Sequence, residues 1–493
     1  MATARLEPGD RALLSGVAQV VFGNPFSPER SRLIVQLAPG AALGDLTRDR
    51  EALACLVEPR LRAIASGGAR LLERYDADDR RVLEAACLYV CYHRHVPQLD
   101  GLIERQANRG GTPLTVPFAD EVIGELDAYG FEAGRAVRYF ALFFQLRRAF
   151  YFIYRSLAGD CDSMRRLRHA LWNNVFTHDM RGYEAGLWSR MEDFSTLLLG
   201  ETGTGKGAAA AAIGRSEFIP YLPGERRFAA NFAESFIAIN LAQFPETLIE
   251  SELFGHRKGA FTGAVEHHDG VFERCSAHGA LFLDEIGEVS VPVQIKLLQV
   301  LQDRVFVPLG SHDRKRFSGR VIAATNRPLA ELRRGGRFRD DFFYRLCSDV
   351  IAAPPLRQRI EESADELPQL VRLLVARTAG EENTGLAGSV LEVLERDVPR
   401  GYPWPGNVRE LEQAVRRILL NGRYQAELIH EPKSDDDALV EGVRAGGFSA
   451  DELLGRYCAM LYRRHGSYAE VAQRSGLDPR TARKYVLTAA RSA

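Results

Sequence analysis

The run from Leu197 to Lys206, LLLGETGTGK, restricts the fold of this chain more than any other segment. It predicts a buried strand and then a G-x-x-x-x-G-K loop, whose glycines let backbone N–H groups surround phosphate oxygens while Lys206 reaches the β- and γ-phosphates. The alanine-rich stretch 208–213 predicts a helix that directs its N-terminal dipole at the phosphates. A chance glycine-rich turn is the alternative, but strand, loop and helix follow in the order that a phosphate site requires. The predicted nucleotide-binding residues of this loop are Gly200, Glu201, Thr202, Gly203, Thr204, Gly205, Lys206 and Gly207.

A second apolar run, residues 281–285 (LFLDE), ends in two carboxylates. Alone, this pattern is more typical of a strand that passes into a turn. Together with the phosphate loop it predicts an ATPase core, in which Asp284 binds Mg²⁺ and Glu285 orients and polarises the attacking water. Gly207 occupies the position where the general motif has Ser or Thr, so no hydroxyl is available there for the metal. We therefore expect Mg²⁺ to depend on phosphate oxygens, water and Asp284.

Hydrophobic periodicity divides the chain into regions. Apolar positions three and four residues apart predict amphipathic helices from residue 1 to about 157. From about 159 to 425, short apolar runs alternate with helical stretches, which predicts a parallel sheet covered by helices. A polar connection follows that contains Pro432 and the acidic run 435–437, and it predicts a flexible tether. The last segment, from about 450, predicts a small helical domain.

The amino-acid composition excludes several classes of protein. With 46% apolar and 26% charged residues among 493, the chain is neither fibrous nor wholly disordered. Lys plus Arg (64) nearly balance Asp plus Glu (65), so any nucleic-acid surface must be local. Seven scattered cysteines are typical of reduced thiols. No secretory signal and no apolar stretch near ~20 residues is visible, so we expect a soluble, cytoplasmic protein without a membrane partner.

Between the two nucleotide motifs, residues 250–264 have the sequence ESELFGHRKGAFTGA. Gly259 and Gly263 bracket a short tip that carries Phe261 and Thr262. An apolar ring on an exposed loop is unfavourable in water, which favours docking on another molecule. A hairpin whose Phe261 returns to its own core is equally compatible with these residues.

The GAFTGA hexapeptide and its ESELFGH lead-in resemble the signature of bacterial sigma-54-dependent transcription activators, also called enhancer-binding proteins. The resemblance covers about residues 159–425 and the C-terminal segment. It implies an AAA+ ATPase that binds sigma-54 RNA polymerase holoenzyme and double-stranded enhancer DNA, and that couples ATP hydrolysis to opening of the closed promoter complex. It also implies a homo-oligomeric ring, a hexamer, with a dimer as the candidate inactive form. The implied sigma-54 contacts are Gly259, Ala260, Phe261, Thr262, Gly263 and Ala264.

Further positions match the family in chain order. Asn240 resembles the polar residue that holds the catalytic glutamate inactive, and an amide near Glu285 could do so by hydrogen bonding the carboxylate. Thr325 and Asn326, which follow an apolar run, resemble the sensor of the γ-phosphate.

Three arginines complete the set that the resemblance implies. Arg339 and Arg345 resemble the arginine fingers that enter the ATP site of the neighbouring subunit, where a guanidinium stabilises charge on the transferring phosphoryl group. Arg409, in the segment 404–411 (WPGNVREL), resembles the phosphate contact of the helical lid. An isolated arginine of this kind would more simply be a surface or ion-pair residue.

Residues 451–486 predict three short helices, of which the last two, 468–474 and 479–486, are joined by a glycine-containing turn. This is the pattern of a helix-turn-helix, and the segment resembles a Fis-type DNA-binding domain. From 451 to 493 there are eight Lys and Arg against four Asp and Glu. A basic helical cap or an oligomerisation element is the alternative. The predicted DNA-binding residues are Arg480, Thr481, Arg483 and Lys484.

The N-terminal region resembles no sensory domain that we can identify, so its signal is not predicted. One chemical cluster, Cys87, Cys91, His93 and His95, is compatible with a metal or redox site, although two buried cysteines beside surface histidines are the simpler interpretation. An aromatic stretch could line a ligand pocket or form part of the hydrophobic core. Its members are Tyr139, Phe140, Phe143, Phe144, Phe150, Tyr151 and Phe152.

The predicted organisation has five parts: a helical regulatory domain (1–157), an AAA+ α/β subdomain (158–350), a helical lid (351–425), a flexible linker (426–449) and a Fis-type helix-turn-helix domain (450–493). Segments 220–227 and 177–188 depart from the family and predict, respectively, an inserted surface loop and an extension before the phosphate loop. The predicted function is ATP-driven activation of sigma-54 transcription. The alternative is a DNA-binding regulator with an AAA+ fold that acts independently of sigma-54.

Overall fold

The computed structural model describes residues 4–39, 46–66, 70–381, 383–426, 439–440, 442–443 and 446–492. The chain forms two compact units, the first ending at Tyr424 and the second beginning at Gln425. The predicted domain boundary at residue 157 therefore falls inside one continuous unit. Most of the predicted linker, including Pro432 and the acidic run 435–437, lies outside the described residues. In the part of the chain that the structure describes, no helix is long and apolar enough to cross a membrane.

The N-terminal region is helical. Asp76 caps its fourth helix by accepting hydrogen bonds from the backbone N–H groups of Asp78 and Asp79. The seventh helix is the longest, and its buried residues lie on all sides of it, which is typical of a helix at the centre of a packed domain. The helices are α1 (Pro8–Phe22), α2 (Pro28–Leu37), α3 (Leu46–Ala65), α4 (Ala77–Arg94), α5 (Val96–Arg109), α6 (Ala119–Tyr129) and α7 (Ala133–Ser156).

The rest of the first unit contains a five-stranded parallel sheet with the strand order β4-β5-β8-β1-β9. The apolar runs that predicted strands form β1, β5 and β8. Two short antiparallel hairpins, β2-β3 and β6-β7, lie outside the sheet. The strands are β1 (Thr196–Leu199), β2 (Tyr221–Leu222), β3 (Arg227–Phe228), β4 (Phe236–Asn240), β5 (Ala280–Asp284), β6 (Val305–Phe306), β7 (Lys315–Arg316), β8 (Arg320–Thr325) and β9 (Asp349–Ala352).

Helices surround this sheet, and four of them follow its last strand as a separate layer. The helices before and among the strands are α8 (Asp162–Phe176), α9 (Met180–Ala185), α10 (Lys206–Gly214), α11 (Glu246–Phe254), α12 (Val271–Arg274), α13 (Val291–Asp303), α14 (Leu329–Arg334) and α15 (Asp340–Leu346). The four that follow, called the lid below, are α16 (Leu356–Glu362), α17 (Glu366–Ala379), α18 (Thr384–Asp397) and α19 (Asn407–Asn421). The parallel α/β core and the mostly helical N-terminal region confirm the predicted fold class.

The N-terminal helices share one hydrophobic core with a face of the sheet. Arg148 of α7, which is fully buried, donates to the carbonyls of Arg215 and Glu217 just after α10 (2.7 and 2.8 Å). Gln145 of α7 donates to the carbonyl of Ser216 (2.9 Å). Helix α7 thus satisfies carbonyls at the C-terminus of the helix that follows the phosphate loop.

Segments 220–227 and 177–188, which the sequence analysis singled out, both contact α7. Segment 220–227 forms the β2-β3 hairpin, and its tip is exposed as predicted. Its base is buried, because Phe228 stacks on Phe144 with ring centroids 4.2 Å apart and Tyr221 packs against Phe140 at 4.9 Å. Segment 177–188 contains α9, whose Tyr183 donates a hydrogen bond to Gln145 (2.9 Å). The prediction of a simple surface loop was therefore wrong for the base of the hairpin.

From residue 446 on, the described part of the second unit forms the helices α20 (Ala450–His465), α21 (Tyr468–Ser475) and α22 (Pro479–Ser492). Ser449 and Glu452 form a capping box at the start of α20. A small core holds the three helices together. It consists of Cys458, Leu461, Val471, Ala472, Ala482 and Val486.

Candidate active site

A cleft of about 370 Å³ lies at the carboxyl edge of the sheet, where α10 begins, and the lid forms its opposite wall. This edge is where parallel α/β sheets bind ligands. The cleft contains most of the residues predicted for ATP binding and hydrolysis. These are Thr202, Gly203, Thr204, Gly205, Lys206, Gly207, Asn240, Asp284, Glu285 and Arg409.

The phosphate loop has the backbone conformation that its glycines allow. Gly203 has a φ of +80°, and a Cβ at this position would lie 2.2 Å from the carbonyl oxygen of Gly406 in the lid. Only glycine therefore fits here. Lys206 Nζ donates to the carbonyls of Gly200 (2.8 Å) and Glu201 (3.0 Å). Burial of Lys206 lowers the pKa of its ammonium group.

The two predicted carboxylates lie at the end of β5. Glu285 has a φ of +56°, a left-handed conformation that is uncommon for a residue other than glycine. Burial, reinforced by the charge of Asp284, raises the pKa of Glu285. A glutamate with a raised pKa is a stronger base when ionised, which suits the activation of water.

Asn326 connects the carboxylates with the phosphate loop. Its Nδ2 donates to Thr202 Oγ1 (2.9 Å), and its backbone N–H donates to Glu285 Oε2 (3.4 Å). Asn326 therefore contacts both the loop that binds phosphate and the predicted base. Its role as a γ-phosphate sensor stays a prediction.

Asn240 lines the same cleft and is paired in register with Asp284 across β4 and β5. Its Oδ1 accepts a hydrogen bond from the backbone N–H of Ala242 (3.0 Å). Among the residues described, the predicted hydrogen bond from Asn240 to Glu285 is not formed. The role of Asn240 as a switch therefore remains a prediction.

The lid contacts the phosphate loop through Asn407, which the sequence analysis did not single out. Asn407 is 0% exposed. Its Nδ2 donates to the Thr202 carbonyl (3.0 Å) and Glu201 Oε2 (3.1 Å), and its Oδ1 accepts from the N–H of Leu356 (2.7 Å). Arg357 adds an ion pair with Glu201 (2.5 Å). The sequence contained one signal for this contact, because Asn407 stands at the predicted start of a lid helix, directly before Val408 and Arg409.

Three residues at the junction of α7 and α8 also line the cleft and were missed. They are Ser156, Leu157 and Ala158. The carbonyl of Ala158 accepts a hydrogen bond from Arg359 (2.7 Å), which forms a buried ion pair with Glu366. The end of the N-terminal region is thereby fixed to the lid.

The two predicted arginine fingers do not line this cleft. Arg339 forms an ion pair with Asp341 (2.6 Å), and Arg345 donates to the carbonyl of Leu301 (2.7 Å). Both follow β8 in a segment that includes α15. Their role in a neighbouring subunit stays a prediction.

The GAFTGA segment forms a short hydrogen-bonded loop. Gly259 and Gly263 have φ values of +83° and +103°, and the N–H of Gly259 donates to the carbonyl of Ala264 (2.8 Å). Thr262 is exposed, whereas Phe261 is half-buried. The ring of Phe261 is therefore neither in the core nor fully in solvent, and its docking on another molecule stays a prediction.

The ring of Phe261 rests on His256, with centroids 5.0 Å apart. His256 Nδ1 lies 2.7 Å from Ser251 Oγ in α11. The loop also packs on the β6-β7 connection, because a Cβ on Gly310 would lie 2.8 Å from the Cβ of Ala260. This second loop was not recognised in the sequence.

In the second unit, Asp478 accepts hydrogen bonds from the N–H groups of Arg480 (3.0 Å) and Thr481 (3.1 Å) and so begins α22. Arg480, Arg483 and Lys484 are exposed, and Thr481 is half-buried. The guanidinium of Arg483 lies 5.5 Å from the ring centre of Tyr468. Three cations thus lie on the surface of the helix that was predicted to enter the DNA groove.

The aromatic stretch of α7 divides between core and cavity. Phe140 and Phe144 are fully buried, while Tyr139, Phe143 and Phe150 line a cavity of about 120 Å³ together with residues of α1, α4 and α8. Of the four residues in the cysteine–histidine cluster, Cys87, Cys91 and His95 are buried. The interpretation of both histidines as surface residues was therefore wrong for His95.

A parallel sheet with a phosphate loop after β1, paired acids after β5 and a helical lid on the loop defines an ATPase of the AAA+ class. Residues 185–352 match the sigma-54 interaction domain family. The chain is 37% identical over 331 residues to the transcriptional regulatory protein ZraR of Klebsiella oxytoca, covering 66% of this chain and 67% of that protein. It belongs to the family of sigma-54-dependent transcription activators.

Two further relatives match over a shorter region. The DNA-binding transcriptional regulator NtrC of Azospirillum brasilense is 42% identical over 226 residues, 46% of this chain and 43% of that protein. The Nif-specific regulatory protein of Azotobacter vinelandii is 42% identical over 228 residues, 46% of this chain and 40% of that protein. The chain spans less than half the length of these two relatives.

Proposed function

We propose that this protein activates sigma-54-dependent transcription by binding enhancer DNA and using ATP hydrolysis, in a ring of identical subunits, to remodel the closed complex of sigma-54 RNA polymerase. The observation that carries this proposal is the presence of the 259–264 loop and the nucleotide cleft, with its phosphate loop and paired carboxylates, in one unit. Membership of the family favours this function over a DNA-binding regulator that acts without sigma-54.

The cleft supports ATP hydrolysis through residues with separate roles. Lys206 exchanges its two carbonyl contacts for the β- and γ-phosphates, and Glu285 orients the attacking water. Asn326 registers the γ-phosphate because it contacts both Thr202 and Glu285. Arg339 and Arg345 of one subunit complete the site of the next by stabilising charge on the transferring phosphoryl group.

The oxygen donors in the cleft fit Mg²⁺, a hard cation that binds carboxylate and phosphate oxygens and retains water. Asp284, which lies in the cleft beside Lys206, would hold it, and Gly207 provides no hydroxyl. The metal would neutralise phosphate charge when bound.

A continuous segment supports coupling between the cleft and the sigma-54 loop. Asn240 ends β4 in the cleft, and α11 follows and ends at Phe254, with residues 255–258 between it and the loop. The contacts from Ser251 to His256 and from His256 to Phe261 extend this route to the tip. A shift of Asn240 toward Glu285 would therefore reach Phe261 through one helix.

The second unit supports DNA binding. Its residues 451–493 carry eight Lys and Arg against four Asp and Glu, and three exposed cations, Arg480, Arg483 and Lys484, lie on α22. Such a helix contacts base edges and phosphates in a major groove. We further propose a hexamer as the active ring, a dimer as its inactive form, and the cytoplasm as the location, since polymerase and promoter DNA are found there.

Phe261→Ala tests the proposal, with Val265→Ala as the matched control, because Val265 is 70% exposed just after the hexapeptide. We expect Phe261→Ala to hydrolyse ATP within about twofold of the unchanged chain and to lose binding to sigma-54 when trapped with ADP and a metal fluoride. Val265→Ala should keep both activities. Equal sigma-54 binding by the two variants would contradict the proposal, as would failure of the unchanged chain to bind.

A further inference from the structure

Three metal-ligating side chains converge inside the N-terminal helices, far along the chain from the phosphate loop. Donor atoms of Cys91, His95 and Glu125 all lie within 4.8 Å of one another. Cys91 is 0% and His95 1% exposed, and the Glu125 side chain is 16% exposed. We infer that this group, the Cys91–His95–Glu125 cluster, binds one divalent transition-metal ion of the Zn²⁺ type.

The fold brings the three side chains together on rigid elements. Cys91 lies in the last turn of α4, and His95 follows the last residue of that helix, four positions further on, so that the two side chains lie on the same side. Glu125 comes from α6, which packs on both α4 and α7. His95 Nε2 lies 3.2 Å from Glu125 Oε2, and the Cys91 thiol is hydrogen-bonded to the same carboxylate. The donors are therefore positioned by buried helices.

His95 presents its Nε2 to the cluster, 3.2 Å from Glu125 Oε2. The other ring nitrogen, Nδ1, points away from the carboxylate, is buried and has no hydrogen-bond partner among the residues described. Nε2 is therefore the atom of His95 that would bind the ion.

The donor types select the kind of ion. A thiolate, an imidazole and a carboxylate together are typical ligands of Zn²⁺, and three protein ligands leave a fourth position open for water or another ligand. In a tetrahedral site with donors about 2.0–2.3 Å from the ion, the donors lie roughly 3.3–3.8 Å from each other. A contraction of about 1 Å brings the cluster to this geometry.

The charge balance is also favourable. A divalent ion with the Cys91 thiolate and the Glu125 carboxylate makes a neutral buried group, so that no net charge is buried. Arg94 contacts Glu125 (2.6 Å) but also forms an ion pair with Glu58 (2.7 Å). When the ion binds, Glu58 therefore remains as the partner of Arg94.

The cluster has a route to solvent. A pocket of about 370 Å³ is lined by Glu58, Leu61, Arg62, Val90 and other residues of α3 and α4, together with Arg94 and Tyr129. The last two both contact the carboxylate of Glu125 (2.6 and 3.4 Å). The pocket therefore reaches two direct neighbours of the Glu125 carboxylate, which is itself 16% exposed, and an ion would enter from this side.

The full chain, prepared without metal and without nucleotide, provides the test. Titration with Co²⁺ should produce a thiolate-to-cobalt charge-transfer band that saturates at one equivalent, and Zn²⁺ should displace it. Competition with a chromophoric chelator then gives the Zn²⁺ affinity. Glu125→Gln and Cys91→Ser should weaken Zn²⁺ binding at least tenfold.

Cys87→Ser is the matched control, because Cys87 is also fully buried in α4, one turn before Cys91, and lies outside the cluster. It should bind Zn²⁺ within about threefold of the unchanged chain. No charge-transfer band in the unchanged chain would overturn the inference without any variant. A band that Cys91→Ser and Glu125→Gln retain in full would also overturn it, because another of the seven cysteines would then be the ligand.

Discussion

Replacing Asn407 by alanine tests whether the lid holds the phosphate loop in the conformation that binds nucleotide. The side chain makes two hydrogen bonds to the loop, at Glu201 and Thr202, and one to the N–H of Leu356. Each such bond contributes about 0.5–1.5 kcal/mol, and leaving the Leu356 N–H buried and unpaired costs about 1–3 kcal/mol. The two loop bonds alone predict nucleotide binding weakened by roughly tenfold or more, since 1.4 kcal/mol is a factor of ten.

A second effect of the alanine must be separated from the first. Asn407 has a φ of +52°, and an L-residue without a polar side chain pays about 1–2 kcal/mol in that conformation. Asn407→Gly removes the same hydrogen bonds without this strain. We therefore expect both variants to lose nucleotide affinity to a similar extent, and Asn407→Ala to have the lower Tm of the two.

The assay is equilibrium binding of a fluorescent ATP analogue, with thermal unfolding measured on the same samples. Asn421→Ala is the control, because Asn421 is exposed at the opposite end of α19. If Asn407→Gly is folded and binds the analogue as tightly as Asn421→Ala does, the lid does not position the phosphate loop.

Other positions give further predictions. Glu285→Ala should bind ATP but turn it over at least ~100-fold more slowly, and normal hydrolysis would show that another residue is the base. Because the pKa of Glu285 is raised, this glutamate becomes protonated at a higher pH than an ordinary glutamate, whose pKa is about 4.5. ATP turnover should therefore begin to fall while the pH is still above about 4.5, and a pH–rate profile measures this fall. Arg483→Ala should weaken enhancer binding in a gel-shift titration and leave ATP turnover unchanged, whereas Arg474→Ala, which removes an ion pair with Glu470 in α21, should affect DNA binding less. Phe228→Ala should destabilise the first unit by about 3–5 kcal/mol, because the ring is fully buried against α7; a change below 1 kcal/mol in denaturant unfolding would contradict that packing.

The elements that the sequence predicted correctly are those whose signal is local. The strand, loop and helix around Lys206 follow each other directly, and the strand that leads to Asp284 and Glu285 is one short apolar run. The half-buried state of Phe261 could not be decided in the same way, because it depends on contacts with His256.

The residues that were missed depend on contacts between distant segments. Asn407 meets Thr202 across 205 positions, and nothing beside it in the sequence indicates that its amide is enclosed. Glu125 approaches His95 from another helix, 30 positions away, so the cysteine–histidine spacing could indicate only one half of that cluster. The base of the β2-β3 hairpin is similar, because its aromatic residues become core only when α7 is opposite them.

The placement of α7 has a consequence for how such a protein can be divided or evolve. This one helix contributes side chains to the hydrophobic core of the N-terminal region and donates hydrogen bonds to backbone carbonyls after α10. Residues at its C-terminal end also line the nucleotide cleft. A chain that starts near Gly159 would therefore lose Phe140 and Phe144 and leave Phe228 and Tyr221 without the surface that covers them. The N-terminal region is accordingly not an interchangeable module, and a domain swap would have to carry the β2-β3 hairpin and segment 177–188 with it to keep the ATPase folded.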